Sequence, residues 1–163
     1  MAKQGQPTQG TYLYFAYGSN MSSERLRGRT PSAISLGRAR LPGYALRWHK
    51  LGRDGSGKCD IEPSDPPDTA VWGVLYEINR AERDSLDAVE GLGVGYDEHM
   101  VRVETGTVVR EAVAYKARPD KLDPALRPLA WYKAHVLRGA TEHGLPAEYV
   151  LRIAAVPVRY PQE

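Results

Sequence analysis

The sequence predicts an α+β domain. Three observations lead there. Seven short apolar or alternating segments are separated by turn residues, one well-capped helix lies mid-chain, and two further helical segments lie near the C-terminus. The strand candidates are residues 11–17, 33–40, 43–49, 58–62, 69–78, 97–104 and 107–117. The first alternates from Thr11 to Tyr17 and breaks at Gly18-Ser19-Asn20, where a short polar helix follows from Ser22. The second, from Ala33 to Leu41, ends at the turn signal Pro42-Gly43, so Tyr44 to Trp48 reads as a returning strand. Residues 50–68 are rich in Gly and Pro and read as a loop region holding one short strand, Lys58 to Glu62.

The segment from Thr69 to Ile78 is apolar on both faces and reads as a central, covered strand. Gly73 within it marks a bend or the close approach of another backbone. The last two strands meet at Thr105-Gly106, a hairpin turn. The mid-chain helix spans Arg80 to Glu90. Asn79 is its N-cap, Glu82 stands in capping-box position, and Leu86 and Val89 form its apolar stripe. Gly91 fits the C′ position that ends such a helix. A second helix opens near Pro128, carries Leu129, Tyr132, Val136 and Leu137 on one side, and ends by Gly139 to Gly144. Pro146 opens a third, with Tyr149, Val150 and Ile153. Pattern alone does not say whether the sheet closes.

Composition narrows the function classes. The 163 residues suffice for one domain with a sizeable core, expected over residues 11–160 behind a flexible Gln/Gly/Pro-rich segment, residues 1–10. That segment lacks the apolar centre of a signal peptide. With 22 basic and 20 acidic residues the net charge is +2, which gives no electrostatic case for a nucleic acid or a membrane surface. The basic cluster Arg25, Arg27 and Arg29 is short and contains Glu24, and reads as a solvated helix face rather than a phosphate-binding patch. Cys59 is the only cysteine, so no internal disulfide and no thiolate metal cluster is expected, in keeping with a reducing, cytoplasmic setting. No run of about 18 apolar residues suggests a membrane span. His49, His99, His135 and His143 show no paired-ligand spacing and read as surface or packing residues. Gly91, Gly93 and Gly95 follow a helix rather than a strand, which fails the context of a phosphate-binding fingerprint. Gly18-Ser19 lacks the second glycine of a nucleophile elbow.

Two places carry chemistry. A strand ending in a glycine turn leaves backbone N–H groups unpaired, and Gly18 has no Cβ to keep a ligand away. With the Ser19 hydroxyl and the Asn20 amide, this suits a carboxylate or a developing oxyanion, although the same residues also make an ordinary turn. Glu90 lies four residues after Leu86, so it borders the buried stripe in the last helical turn. Partial burial and the negative end of the helix dipole both raise a carboxyl pKa there, which suits proton transfer near neutrality. The alternative is a surface glutamate that happens to precede a capping glycine.

The run Tyr14-Phe15-Ala16-Tyr17-Gly18-Ser19-Asn20-Met21 resembles the signature of the gamma-glutamylcyclotransferase (AIG2-like) family. Four further segments agree in order and approximate spacing: Val71-Trp72-Gly73-Val74-Leu75-Tyr76, Ser85-Leu86-Asp87-Ala88-Val89-Glu90-Gly91, Ala114-Tyr115-Lys116, and Tyr132 through Gly144-Leu145-Pro146-Ala147-Glu148-Tyr149. The resemblance implies a small mixed barrel-like sheet flanked by helices, with the site at its mouth. It implies an enzyme of glutathione metabolism that cyclises a gamma-glutamyl amide to 5-oxoproline, with Glu90 as general acid/base. Tyr14, Phe15, Ala16, Tyr17, Gly18, Ser19 and Asn20 would hold substrate, with Tyr132 and, more weakly, Tyr115 contacting it. No metal or other cofactor is called for, and the partner is a small gamma-glutamyl compound. Residues 50–68 and 92–97 would shape the leaving-group side; Tyr96 lies where this chain departs from the family pattern. A non-catalytic binding module of the same fold is the rival reading, and a homodimer is compatible with either.

Overall fold

In the computed structural model, residues 10–64 and 69–160 are described. All seven strands form: β1 Thr11–Ala16, β2 Ile34–Pro42, β3 Tyr44–Leu51, β4 Gly57–Pro63, β5 Ala70–Asn79, β6 Tyr96–Thr105 and β7 Val108–Ala117. Four helices accompany them: α1 Ser23–Arg29, α2 Arg83–Glu90, α3 Ala130–Glu142 and α4 Ala147–Ala154. The expected flexible segment 1–10 lies outside the described residues except for Gly10, as does the stretch 65–68 of the expected loop.

The sheet closes. Its order is β1-β5-β2-β6-β7, with β1 meeting β7 in parallel at Tyr14 and Val113. The other neighbours run antiparallel, which makes the barrel mixed. β5 is its centre, paired on both edges and buried over most of its length, as its two-faced apolar pattern predicts. At Gly73 a Cβ would come within 2.3 Å of the Ala16 carbonyl oxygen and 2.8 Å of the Phe15 ring. The glycine marks the close approach of β1, one of the two readings its position allowed.

The predicted return of β3 onto β2 does not occur. Gly43 turns the chain with φ of +80°, but β3 pairs with β4 in a separate two-stranded sheet. The Gly43 N–H donates to the Thr69 carbonyl, so the turn is tied to the entry of β5. The small sheet is fastened to the barrel by Asp60, which accepts from the Ala117 N–H at 2.8 Å and pairs with His49 Nε2 at 2.8 Å. This hairpin overhangs the barrel mouth.

The mid-chain helix begins with a 3-10 turn, Arg80–Glu82, before α2 proper. Asn79 caps it by accepting from the Ala81 N–H. Glu82 does not close a capping box; its carboxylate accepts from the N–H and hydroxyl of Ser32 at 3.1 and 2.6 Å. A partner 50 residues away in sequence outcompetes the local one. Leu86 is fully buried and anchors α2, a burial worth about 1.5–3 kcal/mol. Val89, expected in the same stripe, is half-exposed and borders the cavity instead. Gly91 sits in the left-handed region at φ of +67°. The Gly91 and Leu92 N–H groups donate to the Ala88 and Asp87 carbonyls, the hydrogen-bond pair of a Schellman cap. Pro128 lies just outside α3, with Leu129 as its N-cap residue, rather than in the first turn.

Candidate active site

The mouth of the barrel holds a cavity of about 380 Å³, bounded by the β1–α1 bend, the end of α2, the β3–β4 hairpin and the start of α3. Its size falls within the range of about 300–1,000 Å³ usual for small-molecule sites. Gly18 and Glu90 line the same space. So do Tyr14, Tyr17, Ser19 and Asn20, together with Tyr115 and Tyr132. Phe15 and Ala16 do not reach it. Both are fully buried in the core: Phe15 lies on the face of β1 away from Tyr14 and packs against Gly73, and Ala16 is covered by its core neighbours.

The bend after β1 is held from behind. Residues Ser19–Met21 form a 3-10 turn closed by the Met21 N–H donating to the Gly18 carbonyl. A Cβ at Gly139 of α3 would lie 2.4 Å from the Met21 carbonyl carbon and 2.5 Å from the Ser22 nitrogen. The helix therefore packs backbone to backbone against the bend. Tyr76 of β5 donates to the Met21 carbonyl at 2.9 Å, and Glu142 of α3 accepts from the Ser23 N–H at 3.1 Å. Ser22 caps α1 by accepting from the Arg25 N–H. Gly18 is a glycine for a different reason from the expected one. A Cβ there would meet Cys59 at 3.1 Å and the Tyr132 hydroxyl at 3.3 Å, so protein rather than ligand takes up that space. Among the described residues no acceptor meets the N–H groups of Gly18 and Ser19.

Glu90 projects from the last turn of α2 with 17 % of its side chain exposed. Asn20 Nδ2 donates to its Oε1 at 2.7 Å and to the Tyr14 hydroxyl at 3.1 Å. Arg29 donates to Asn20 Oδ1 at 3.2 Å and stands 3.9 Å from Glu90. The Asn20 side chain is thus spent on the carboxylate and its neighbours. Burial pushes the Glu90 carboxyl above its usual range; Arg29, the Asn20 hydrogen bond, Lys50 and Arg25 hold part of that rise back. The result is a carboxylate with raised proton affinity at the edge of a cavity.

Two arginines assigned to a solvated face belong to this wall. Arg25 and Arg29 lie four residues apart, so they share one side of α1 and line the cavity, whereas Arg27 is exposed on the other. Arg25 Nε donates to the Ser19 hydroxyl at 3.1 Å. Spacing could reveal that the two share a face, but not which face the barrel covers. Lys50 and Lys58 of the hairpin also line the cavity and carried no motif in the sequence.

The tyrosines form the walls. Tyr17 donates to the Tyr115 carbonyl, and Tyr115 donates to Asp87 Oδ1 at 2.5 Å. The Tyr132 hydroxyl accepts from the Cys59 N–H at 3.0 Å, and Tyr96 donates to the Cys59 carbonyl at 2.7 Å. Tyr96 is therefore part of the fixed wall. Cys59 itself is buried, and burial pushes its thiol up to about 12, which leaves it unreactive. Among the described residues no group of three His, Cys, Asp or Glu side chains converges to hold a metal ion, and no helix is long and apolar enough to cross a membrane.

A closed barrel whose mouth brings together a carboxylate of raised proton affinity, the Gly18 bend and two arginines defines a class: a small-molecule site furnished with groups for holding an anion and for exchanging a proton. The comparisons give that class a family. The AIG2-like family matches residues 70–153. The chain is 34% identical over 159 residues to gamma-glutamylcyclotransferase of Mus musculus, covering 90% of this chain and 79% of that protein. It is 32% identical over 163 residues to gamma-glutamylcyclotransferase of Homo sapiens, covering 92% and 81%. A solved structure described as gamma-glutamyl cyclotransferase superimposes with a TM-score of 0.85 at 31% identity, over 94% of this chain and 92% of that one. The chain belongs to the AIG2-like, gamma-glutamylcyclotransferase family.

Proposed function

We propose that this chain is a gamma-glutamylcyclotransferase, a single catalytic domain that converts a gamma-glutamyl amide to 5-oxoproline and releases the free amine. The observation that carries the reading is the Asn20–Glu90 hydrogen bond of 2.7 Å, which aims a carboxylate of raised proton affinity into the cavity faced by the Gly18 bend. A plain binder of an anionic ligand gains nothing from such a group. Relatives that bear the same enzyme name support the assignment.

The substrate carries its own nucleophile. Its α-nitrogen attacks the γ-carbonyl carbon, a five-membered ring forms, and the γ-amide C–N bond breaks. At neutral pH the α-amine is mostly protonated, since its pKa is about 8. Glu90 takes a proton from it and returns one to the leaving nitrogen. Over the full reaction two protons leave the α-nitrogen and two arrive on the leaving amine, so Glu90 ends as it began. The free N–H groups of Gly18 and Ser19, with Arg25 beside them, bind the glutamyl carboxylate or the developing oxyanion. Asn20 and Arg29 position Glu90, and the rings of Tyr14, Tyr115 and Tyr132 confine the folded glutamyl arm. A cytoplasmic site of action belongs to this reading, supported by a lone, buried, unreactive cysteine.

Incubation with gamma-glutamyl-alanine tests it. 5-Oxoproline and alanine should appear in equal amounts, followed by chromatography or proton NMR. Absence of product across several gamma-glutamyl donors, with saturable binding retained, would support the binding module instead.

A further inference from the structure

The wall of the cavity away from the Gly18 bend carries more positive charge than a glutamyl group can use. Lys50 of β3 is only 8 % exposed, and its Nζ lies 4.6 Å from the centre of the Tyr96 ring. Among the described residues its ammonium makes no hydrogen bond and no ion pair within 4.0 Å, although its backbone is paired with Lys58 and Leu122. Its direct cross-strand partner in β4 is Lys58. Lys58 Nζ lies 4.6 Å from the centres of both Trp131 and Tyr132, and 3.3 Å from Asp54. Like charges directly opposite on neighbouring strands are unfavourable. Here one of the pair is also taken out of water, which adds to the expense.

Arg53 and Lys121 border the same wall. Burial pushes the Lys50 ammonium below its usual range; Glu90 opposes that, and Lys58, Lys121 and Arg53 add to it. Lys50 therefore feels the other three cations, and among the described residues two carboxylates line the cavity with them, Asp54 beside Lys58 and Glu90 facing Lys50. The aromatic rings that flank Lys50 and Lys58 fix where the two ammonium groups stand. Such an arrangement is relieved by an anion with more than one charge.

We propose that this enzyme prefers gamma-glutamyl amides whose leaving group is an acidic amino acid, and that Lys50 and Lys58 are the residues that select it. This rests on the cyclotransferase reading above. The glutamyl half occupies the bend, and the leaving amino acid faces the hairpin. Its main-chain and side-chain carboxylates then meet the two lysines.

Two substrates of nearly equal shape isolate the charge: gamma-glutamyl-glutamate and gamma-glutamyl-glutamine. For the unaltered enzyme at low salt, kcat/KM should favour the glutamate compound by about 10- to 100-fold, the range of a charge-assisted hydrogen bond. Added salt should shrink the ratio. Lys50→Met should bring it to within about threefold of unity, and Lys58→Gln, an independent variant should the first fail to fold, should also lower it. A merely structural role for either lysine would reduce both substrates together and leave the ratio unmoved. A ratio near one for the unaltered enzyme, with both compounds cyclised, overturns the inference and leaves the cyclotransferase reading standing. A high ratio that survives both substitutions overturns the assignment to these lysines. No 5-oxoproline from either compound overturns both readings.

Discussion

Replacing Asn20 with alanine should move the acid limb of activity to higher pH. Its amide donates to the ionised form of Glu90 at 2.7 Å, so it stabilises the carboxylate against the acid. A hydrogen bond to a charged group contributes about 1.5–3 kcal/mol. Losing the bond therefore raises the Glu90 carboxyl further above its usual range, and at a pH below the limb that energy corresponds to a rate loss of about 10- to 100-fold. The assay is kcat/KM against pH with a gamma-glutamyl dipeptide, read on the acid side, where Glu90 must be ionised to take a proton. Below the limb the rate falls about tenfold per pH unit, so Asn20→Ala should lose activity steeply in weakly acidic buffer and recover as the pH rises. Arg29 introduces a compensation, since it is released from Asn20 Oδ1 and stands 3.9 Å from Glu90. The same substitution in an Arg29→Gln background removes it and should show a shift at least as large. An acid limb that stays in place in both backgrounds would refute the positioning role given to Asn20.

Other outcomes follow from the same geometry. Gly139→Ala would place a methyl group 2.4 Å from the Met21 carbonyl carbon. It should lower stability in urea by about 1–3 kcal/mol and reduce kcat/KM through the displaced bend. Unchanged stability and turnover would show that α3 does not hold that bend. Glu90→Gln should also alter how stability depends on pH. A carboxyl raised by burial binds its proton more tightly in the folded state. Its contribution is complete below the unfolded value of about 4.3 and is lost as pH rises through the folded value. The stability difference should therefore shift in favour of Glu90→Gln between about pH 4 and neutrality; a difference independent of pH would contradict the burial argument.

Much of the architecture was legible in the chain. Alternation and turn residues revealed all seven strands, and the Asn79 and Gly91 caps bracketed the helix that carries Glu90. Leu86 and Glu90, four residues apart, pointed to a carboxylate at the edge of the core. Pairing between distant segments was not legible. Nothing local in Pro42-Gly43 says that β3 will leave β2 and join β4, or that β1 will close on β7. The same limit hid the site's cations. Arg25 and Arg29 look like any polar helix face until α1 is docked beside Glu90. Lys50 and Lys58 stand in a Gly-rich stretch without a motif, and only strand pairing sets them opposite each other. Glu82 shows the reverse error: a strong local signal yields to Ser32, a partner the fold supplies.

The most direct test of the account is turnover of gamma-glutamyl-alanine by the unaltered enzyme and by Glu90→Gln. The glutamine keeps the shape and a hydrogen-bonding oxygen for Asn20 but cannot carry the proton. 5-Oxoproline formation should fall by about 10²- to 10⁴-fold while the folded state and substrate binding persist. Equal rates from the two proteins would remove Glu90 from the chemistry, and with it the mechanism derived from this cavity.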